Sequence, residues 1–343
     1  MSSNPIMNMD IFRTEDGSVS KYIHDDGSET AIKLVKSVQS IFNPITKNID
    51  LIHSERNKYS VFISSSVGCY MKCKFCHLTL KNSEFIKISS QEVLQNLKDA
   101  FEDIVQYNPN IKNRYIKLSW MGMGDAMNKP QMVYDVTLEF LDWIFKNHYA
   151  IGLDGVDLST VMPKVKNKNW ISIFHQLENQ LKKYPLNPNY KMDNVQYTNG
   201  YYSHKNIFRL FYSLESTIQE KRDYIVPNAM PIQEAVQNLL EYQNHGEFPV
   251  ILHHLIIDDL NDSEEDLNHL IDFINLYFPK NELRILRYNL CSKSPYKESE
   301  KFIAQIKKIS DNIQFLKIQV SPGTEVSAAC GQFIVKDFIR IQS

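Results

Sequence analysis

The 343-residue sequence has no run approaching the roughly 18 apolar residues that a membrane span requires, and no membrane association is expected. The N-terminus, MSSNPIMNMDIFRTEDG, lacks both a basic start and an apolar core, so no secretory signal is read there. Cysteine is scarce and odd in number, with five residues. Such a set argues against a secreted disulfide framework and for a reduced, cytoplasmic setting. Charge of neither sign is in excess: 38 Lys and Arg stand against 40 Asp and Glu, giving a net charge of −2 and a pI near 6.6. A whole-surface electrostatic grip on nucleic acid is thereby excluded, but a local basic patch is not. There is no repeat of fixed period and no low-complexity tract. At roughly 100–200 residues per domain, the chain makes one large domain or two modest ones.

What the sequence does contain is an alternation of β-rich runs and helical stripes. Strands are predicted at Ser60–Ser65, Tyr115–Trp120, Val156–Ser159, Ile207–Ser213, Val250–Ile257 and Leu283–Asn289. Between them, Ser89 and Glu92 form a capping-box pattern ahead of Val93, Leu94, Leu97, Phe101 and Ile104. Pro130 suits a first helical position, and Ser263 suits an N-cap before Leu267, Leu270, Ile271 and Ile274. Six strand–helix alternations imply a parallel sheet with helical crossovers, either open and doubly wound or a full or partial βα barrel. Upstream, Lys21–Ile23 and Thr30–Val35 flank the turn Asp26-Gly27. Residues 1–18 are therefore expected as a flexible tail, 19–59 as a small β extension, and 60–343 as the main domain.

The densest chemical signal is Cys69-x3-Cys73-x2-Cys76, on a loop just after the first predicted main-domain strand. Three soft thiolates within eight residues can hold three irons of a 4Fe–4S cube, leaving one iron open to a small molecule. Zinc with His77 as a fourth ligand is the competing reading, and unliganded cysteines are another. Further polar or glycine-rich motifs follow the predicted strands. These are Met121-Gly122-Met123-Gly124-Asp125, Ser159-Thr160, Ser213-Leu214-Glu215 and Asn289. In a βα barrel the C-terminal strand ends carry function.

Cysteine spacing with Phe75 before the last thiol resembles that of radical S-adenosylmethionine (SAM) enzymes. From about residue 19 to 340 the motifs resemble those of the RlmN/Cfr family of radical SAM RNA methyltransferases. SSSVGC at 64–69 resembles that family's cluster loop, MGMGD its MGMGE, VDLST at 156–160 its VTLST, and Ser213-Leu214-Glu215 its S-L-H. Arg222–Pro227, Asn261-Asp262-Ser263 and Ala328-Ala329-Cys330-Gly331-Gln332 also match. The resemblance implies a partial (β/α)6 TIM-type barrel of the α/β class, a 4Fe–4S cluster on Cys69, Cys73 and Cys76, and SAM held by Gly124, Asp125, Ser159, Ser213, Leu214, Glu215 and Asn289. It makes Cys330 the catalytic methyl carrier: a first SAM methylates its thiol, and a second supplies a deoxyadenosyl radical that activates the S-methyl group. The carbon radical then adds to an electron-poor adenine ring carbon.

Departures from the family pattern are specific. The release thiol falls on Phe62, the general base on Ala31 with Glu29 two positions away, and the histidine of S-L-H on Glu215. About 60 residues precede the cluster, so the family's helical RNA-binding domain is not expected in this stretch. Cys291, two residues beyond Asn289, is a candidate replacement thiol or simply a packed cysteine. Residues 164–205 carry seven lysines against Glu178 and Asp193, interleaved with Trp170, Phe174, Tyr184, Tyr190, Tyr197, Tyr201 and Tyr202. That pattern suits RNA contact, or else a solvated loop with an ordinary crossover helix. The expected function is adenosine C-methylation of rRNA or tRNA. Radical SAM action on DNA, a nucleotide or another small molecule, and a non-catalytic RNA- or protein-binding relic, are the alternatives. Expected partners are RNA and a reducing donor such as flavodoxin, with the chain a monomer.

Overall fold

The computed structural model describes residues 9–42, 49–164, 168–188, 195–197, 200–202, 206–246, 249–289 and 294–319. Strands β1 (Met9–Arg13), β2 (Val19–His24), β3 (Glu29–Phe42) and β4 (Ile49–Phe62) come first. A short antiparallel pair, β5 (Ser66–Val67) and β6 (Ile86–Lys87), brackets the cysteine loop and helix α1 (His77–Leu80). Helix α2 (Ser90–Tyr107) leads to β7 (Tyr115–Trp120), and α3 (Pro130–Lys146) to β8 (Gly152–Thr160). Helix α4 (Asn169–Leu181) and a small hairpin, β9 (Val195–Tyr197) with β10 (Gly200–Tyr202), precede β11 (Phe208–Ser213). Helices α5 (Gln219–Ile225) and α6 (Ile232–Gly246) lead to β12 (Ile251–Leu255), α7 (Glu264–Tyr277) to β13 (Leu283–Leu286), and α8 (Phe302–Ser310) to β14 (Leu316–Gln319).

Local sequence explains where these helices begin. Ser89 Oγ accepts from the Glu92 amide at 3.2 Å while the Glu92 carboxylate accepts from the Ser89 amide at 2.6 Å, so α2 opens on a capping box. Pro130 occupies the first turn of α3, where its missing N–H costs nothing. Ser263 and Asp266 repeat the capping box at α7. The apolar stripe of α2 then buries Val93, Leu97, Phe101 and Ile104 against the sheet, at about 1.5–3 kcal/mol for each large side chain removed from water.

Strands β4, β7, β8, β11, β12, β13 and β14 lie side by side and parallel, the pattern that helical crossovers enforce. The six predicted barrel strands are all present, and β14 is an additional one. Strand β3 pairs antiparallel with both β4 and β14, so the hairpin arm bridges the open side of the partial barrel. The core lies between the strands and the helical layer and includes Trp120, whose indole N–H donates to Thr137 Oγ1 at 3.0 Å.

Two expectations need correction, and one open alternative is decided in part. Residues 9–13 of the expected tail form β1, held in register on β2 because Ile11 and Phe12 can pair along it. The expected boundary at residue 59/60 falls inside β4, one continuous strand serving both arm and barrel. In the basic and aromatic segment, Trp170, Phe174 and Tyr184 are buried core residues, while Lys168 pairs with Glu241 and Lys183 with Asp142. Trp170 and Phe174 follow the apolar stripe of α4, so this part of the segment is the ordinary crossover helix that the sequence allowed. Tyr190 lies outside the described residues, as do the side chains of Tyr197, Tyr201 and Tyr202. No helix among the described residues is long and apolar enough to cross a membrane.

Candidate active site

Alternate residues of consecutive strands turn inward, as the pleat requires. Lys117, Ser119 and Met121 do so on and after β7, Asp157, Ser159 and Val161 on and after β8, Phe211, Ser213 and Glu215 on and after β11, and His253 and Leu255 on β12. Together with Cys69, Cys73 and Cys76 they line one cavity of ≈ 240 Å³ at the C-terminal ends of the strands.

Backbone sterics shape the cysteine loop. Gly68 takes φ +63°, and a Cβ there would run into the Glu84 carbonyl of the strand segment packed on it. Cys69, Met71, Cys73, Phe75 and Cys76 face the cavity. Burial pushes the Cys69 thiol up to about 12, with Cys76 and Asp125 adding to the effect, and lifts Cys73 well above its ordinary value. Thiolates at these positions need the positive charge of a metal centre. His77 is buried, does not line the cavity, and has no hydrogen-bond partner on either ring nitrogen. Among the described residues no three His, Cys, Asp or Glu side chains group to hold a single metal ion. His77 stands off the cavity that the three thiols share, so it is not placed as their fourth ligand for zinc, whereas three soft thiols on one cavity suit the corners of a 4Fe–4S cube.

The residues assigned to SAM divide into two groups. Gly124 has φ +86°, and a Cβ would collide with the Ser65 and Ser66 hydroxyls. Asp125 lines the cavity but is already engaged: it accepts from Thr160 Oγ1 at 3.0 Å, the Val161 amide at 2.9 Å and the Met127 amide at 3.1 Å. Burial still raises its carboxyl to about 6. Gly124 and Asp125 thus lock the β7 and β8 loop ends together. Ser159 and Ser213 share a 3.2 Å hydroxyl–hydroxyl contact on the cavity wall, and Asn289 lines it too. Leu214 is the exception: its side chain is fully buried in the core, because it follows Ser213 on the opposite face of the strand. Glu215 is buried at φ +58°, lines the cavity, and leaves Oε2 with no hydrogen-bond partner. Burial raises its carboxyl to about 7 against the pull of Arg222. An orphaned acceptor beside three thiols and two hydroxyls suits a cofactor that carries donors, as the ammonium and ribose of SAM do.

Residues not singled out from sequence complete the wall. Lys117 Nζ lies 2.8 Å and Arg209 Nε 2.6 Å from the two Asp157 oxygens. Burial alone would raise Asp157, but Arg209 and Lys117 overcome it and hold the carboxyl well below its ordinary value. Burial drives His253 down to about 3, so it is a neutral imidazole, with Arg284 nearby. A charged residue set inside an otherwise apolar strand, Lys117 in β7, Asp157 in β8 and Arg209 in β11, was the available signal. Phe62 lines the cavity beneath Lys33, whose Nζ is 4.4 Å from its ring centroid. Glu29 is not in the cavity but in a fully buried ion pair with Lys21 at 2.7 Å. Cys330 and Cys291 lie outside the described residues.

A parallel βα barrel with three cysteines on the loop after a strand, opening on a shared cavity at the strand ends, defines a protein of the radical SAM fold. No family model matches the chain. Among curated proteins it is 24% identical over 294 residues to a probable dual-specificity RNA methyltransferase RlmN of Dictyoglomus turgidum, covering 83% of this chain and 72% of that one. It is 24% identical over 321 residues to the RlmN of Campylobacter hominis (91% and 78%), and 23% identical over 288 residues to the ribosomal RNA large subunit methyltransferase Cfr of Clostridium botulinum (80% and 69%). A solved radical SAM methyltransferase from Sphaerobacter thermophilus superposes with a TM-score of 0.62 over 96% of this chain and 82% of that one, at 18% identity, and shares the fold. Across most of its length the chain is thus similar to the RlmN and Cfr RNA methyltransferases, at a divergent level of identity.

Proposed function

We propose that the chain is a radical SAM methyltransferase that adds a methyl group to a ring carbon of adenosine in rRNA or tRNA. The observation that carries this reading is the shared cavity: three thiols of one loop and the polar ends of β8 and β11 face the same space. Relatives named as RNA methyltransferases across most of the chain supply the substrate class. Cys69, Cys73 and Cys76 would hold the cluster, which when bound supplies the electron that cleaves SAM reductively. Ser159, Ser213 and Asn289 offer hydroxyl and amide groups to SAM, and Glu215 offers its unpartnered oxygen. Asp125 fixes the two loop ends that frame the cofactor. Apolar walls from Phe62, Met71, Phe75 and Leu78 limit water in the cavity, which protects radical chemistry from quenching. Cys330, in its A-A-C-G-Q setting, is the methyl carrier. A small reducing protein such as flavodoxin is the donor, and the enzyme acts as a cytoplasmic monomer.

Anaerobic reconstitution with iron and sulfide tests the reading. The protein should turn brown, cleave SAM on reduction, and show one added methyl group on Cys330 by mass spectrometry. A nucleoside digest of host RNA should lose one methyladenosine when the gene is deleted. A colourless polypeptide carrying zinc or nothing at the three sulfurs overturns it.

A further inference from the structure

We infer that the outer face of the cysteine loop, with the neighbouring β6 segment, is a docking surface for single-stranded RNA beside the target base. The inference rests on the RNA reading above and adds the place where the strand lies.

The loop is two-sided. Cys69, Met71, Cys73 and Phe75 line the cavity, and the intervening Tyr70, Lys72 and Lys74 do not. Lys72, at φ +55°, is exposed. Next to this outer face, residues 84–87 are all exposed, including Phe85 at 37% and Ile86 at 45%. The Tyr70 and Phe85 rings meet edge-on at 5.5 Å. On the other side Lys74 Nζ lies 5.4 Å from the centroid of Tyr224, which is 58% exposed. Large aromatic rings left in water at the lip of a cavity need a reason.

Charge indicates the occupant. Residues 70–87 contain Lys72, Lys74, Lys81 and Lys87 against Glu84 alone, in a chain whose net charge is −2. Lys72 and Lys87 have no carboxylate partner among the described residues. Lysines free to meet phosphates, alternating with exposed rings that can stack on bases, are the two components of single-strand recognition. An apolar protein partner would use the rings but not the unpaired lysines. The outer and inner faces of one loop then separate two tasks: the inner holds the cofactor side, the outer holds the strand whose base enters the cavity.

Fluorescence anisotropy with a labelled, adenosine-containing single-stranded RNA and anaerobically reconstituted enzyme tests the surface. Phe85→Ala and Tyr224→Ala should each weaken binding about tenfold. Lys87→Glu should weaken it and lower the salt slope by about 0.7 or more, the share of one phosphate contact on a single strand. Lys307→Glu, on the exposed face of α8, should change nothing. Iron content and melting temperature, measured on every variant, establish that the loop is intact. If wild-type enzyme binds RNA and the three surface variants bind it equally well, the docking inference is overturned and the methyltransferase reading stands. If the wild type binds no RNA, or binds the matching single-stranded DNA more tightly, the RNA reading and the docking inference fall together.

Discussion

Ala31 and Phe62 are direct cross-strand partners in the antiparallel β3–β4 pair. By the resemblance drawn from the motifs, these are the positions at which the family pattern has its general base and its release thiol, so both departures sit side by side. Ala31 is fully buried with Val19, Leu78 and Met123, and Phe62, Cys69 and Cys76 pack on that cluster. A carboxylate cannot sit unpaired in such a patch without a large desolvation cost. The two changes are therefore coupled: the ring fills the space and the polarity that the missing pair would have used.

This coupling is measurable. Ala31→Glu should destabilise the protein by about 3 kcal/mol through a buried charge, and Phe62→Cys by about 2 kcal/mol through lost packing and the lost contact with Lys33. The double variant should cost about 1 kcal/mol less than the sum, because the smaller Cys leaves room for Glu beside Lys33. A urea-unfolding double-mutant cycle reads it, and strict additivity would contradict the pairing.

Much of the barrel was readable because each main-domain strand is a β-rich run and helices α2, α3 and α7 carry start signals of their own. Ser89 and Ser263 mark helix starts through local hydrogen bonds, and Pro130 does so through its fixed φ and missing N–H; such local signals survive in sequence. The arm was harder. The role of β3 as a bridge depends on pairing with β14, nearly three hundred residues away, and no local pattern encodes that. Cysteine positions were readable from spacing, but the charged wall was not: Lys117, Asp157 and Arg209 gain meaning only when adjacent strands set Asp157 between two cations. Leu214 fell inside a motif by linear proximity, whereas strand alternation sends it to the core.

Asp125 acts first as a structural anchor. Its two oxygens take three donors from Met127, Thr160 and Val161. Asp125→Asn should lower apo-protein stability by about 2 kcal/mol, since a buried charge-assisted acceptor is lost and an amide N–H is set against donors. Chemical denaturation without SAM is the measurement. A variant with unchanged stability and only weaker SAM binding would show that the anchor is dispensable.

Gly68 is held by conformation and by space. Gly68→Ala places a Cβ at φ +63° against the Glu84 carbonyl, and should cost about 2 kcal/mol or more. Because the residue precedes Cys69, the reconstituted variant should also retain less iron. Full iron loading at wild-type melting temperature would mean that the 84–87 segment moves aside freely.

Acid behaviour should reflect two opposing sets of buried groups. Burial holds His24 at about 4, His253 at about 3 and His254 at about 4, all below the ordinary 6.5. The unfolded chain takes up protons there that the folded one refuses, so their stabilisation is full above about pH 6.5 and is lost as pH falls toward 4. Asp125 at about 6 and Glu215 at about 7 run the other way. The folded protein keeps protons that the unfolded chain releases, so their contribution is full below about pH 4 and is lost as pH rises through 6 to 7. Between pH 4.5 and 6.5 three histidines oppose two carboxyls, so wild-type apo-protein stability should fall on acidification by the share of roughly one uncompensated proton. Removing one member exposes the balance, at about 1.4 kcal/mol per pH unit for each proton. Glu215→Gln should make stability fall more steeply on acidification, and His254→Gln should make it fall less steeply or rise. Urea midpoints at pH 5 and 6.5 distinguish the two, and parallel shifts of both variants in the same direction would be incompatible with this arrangement of buried charge.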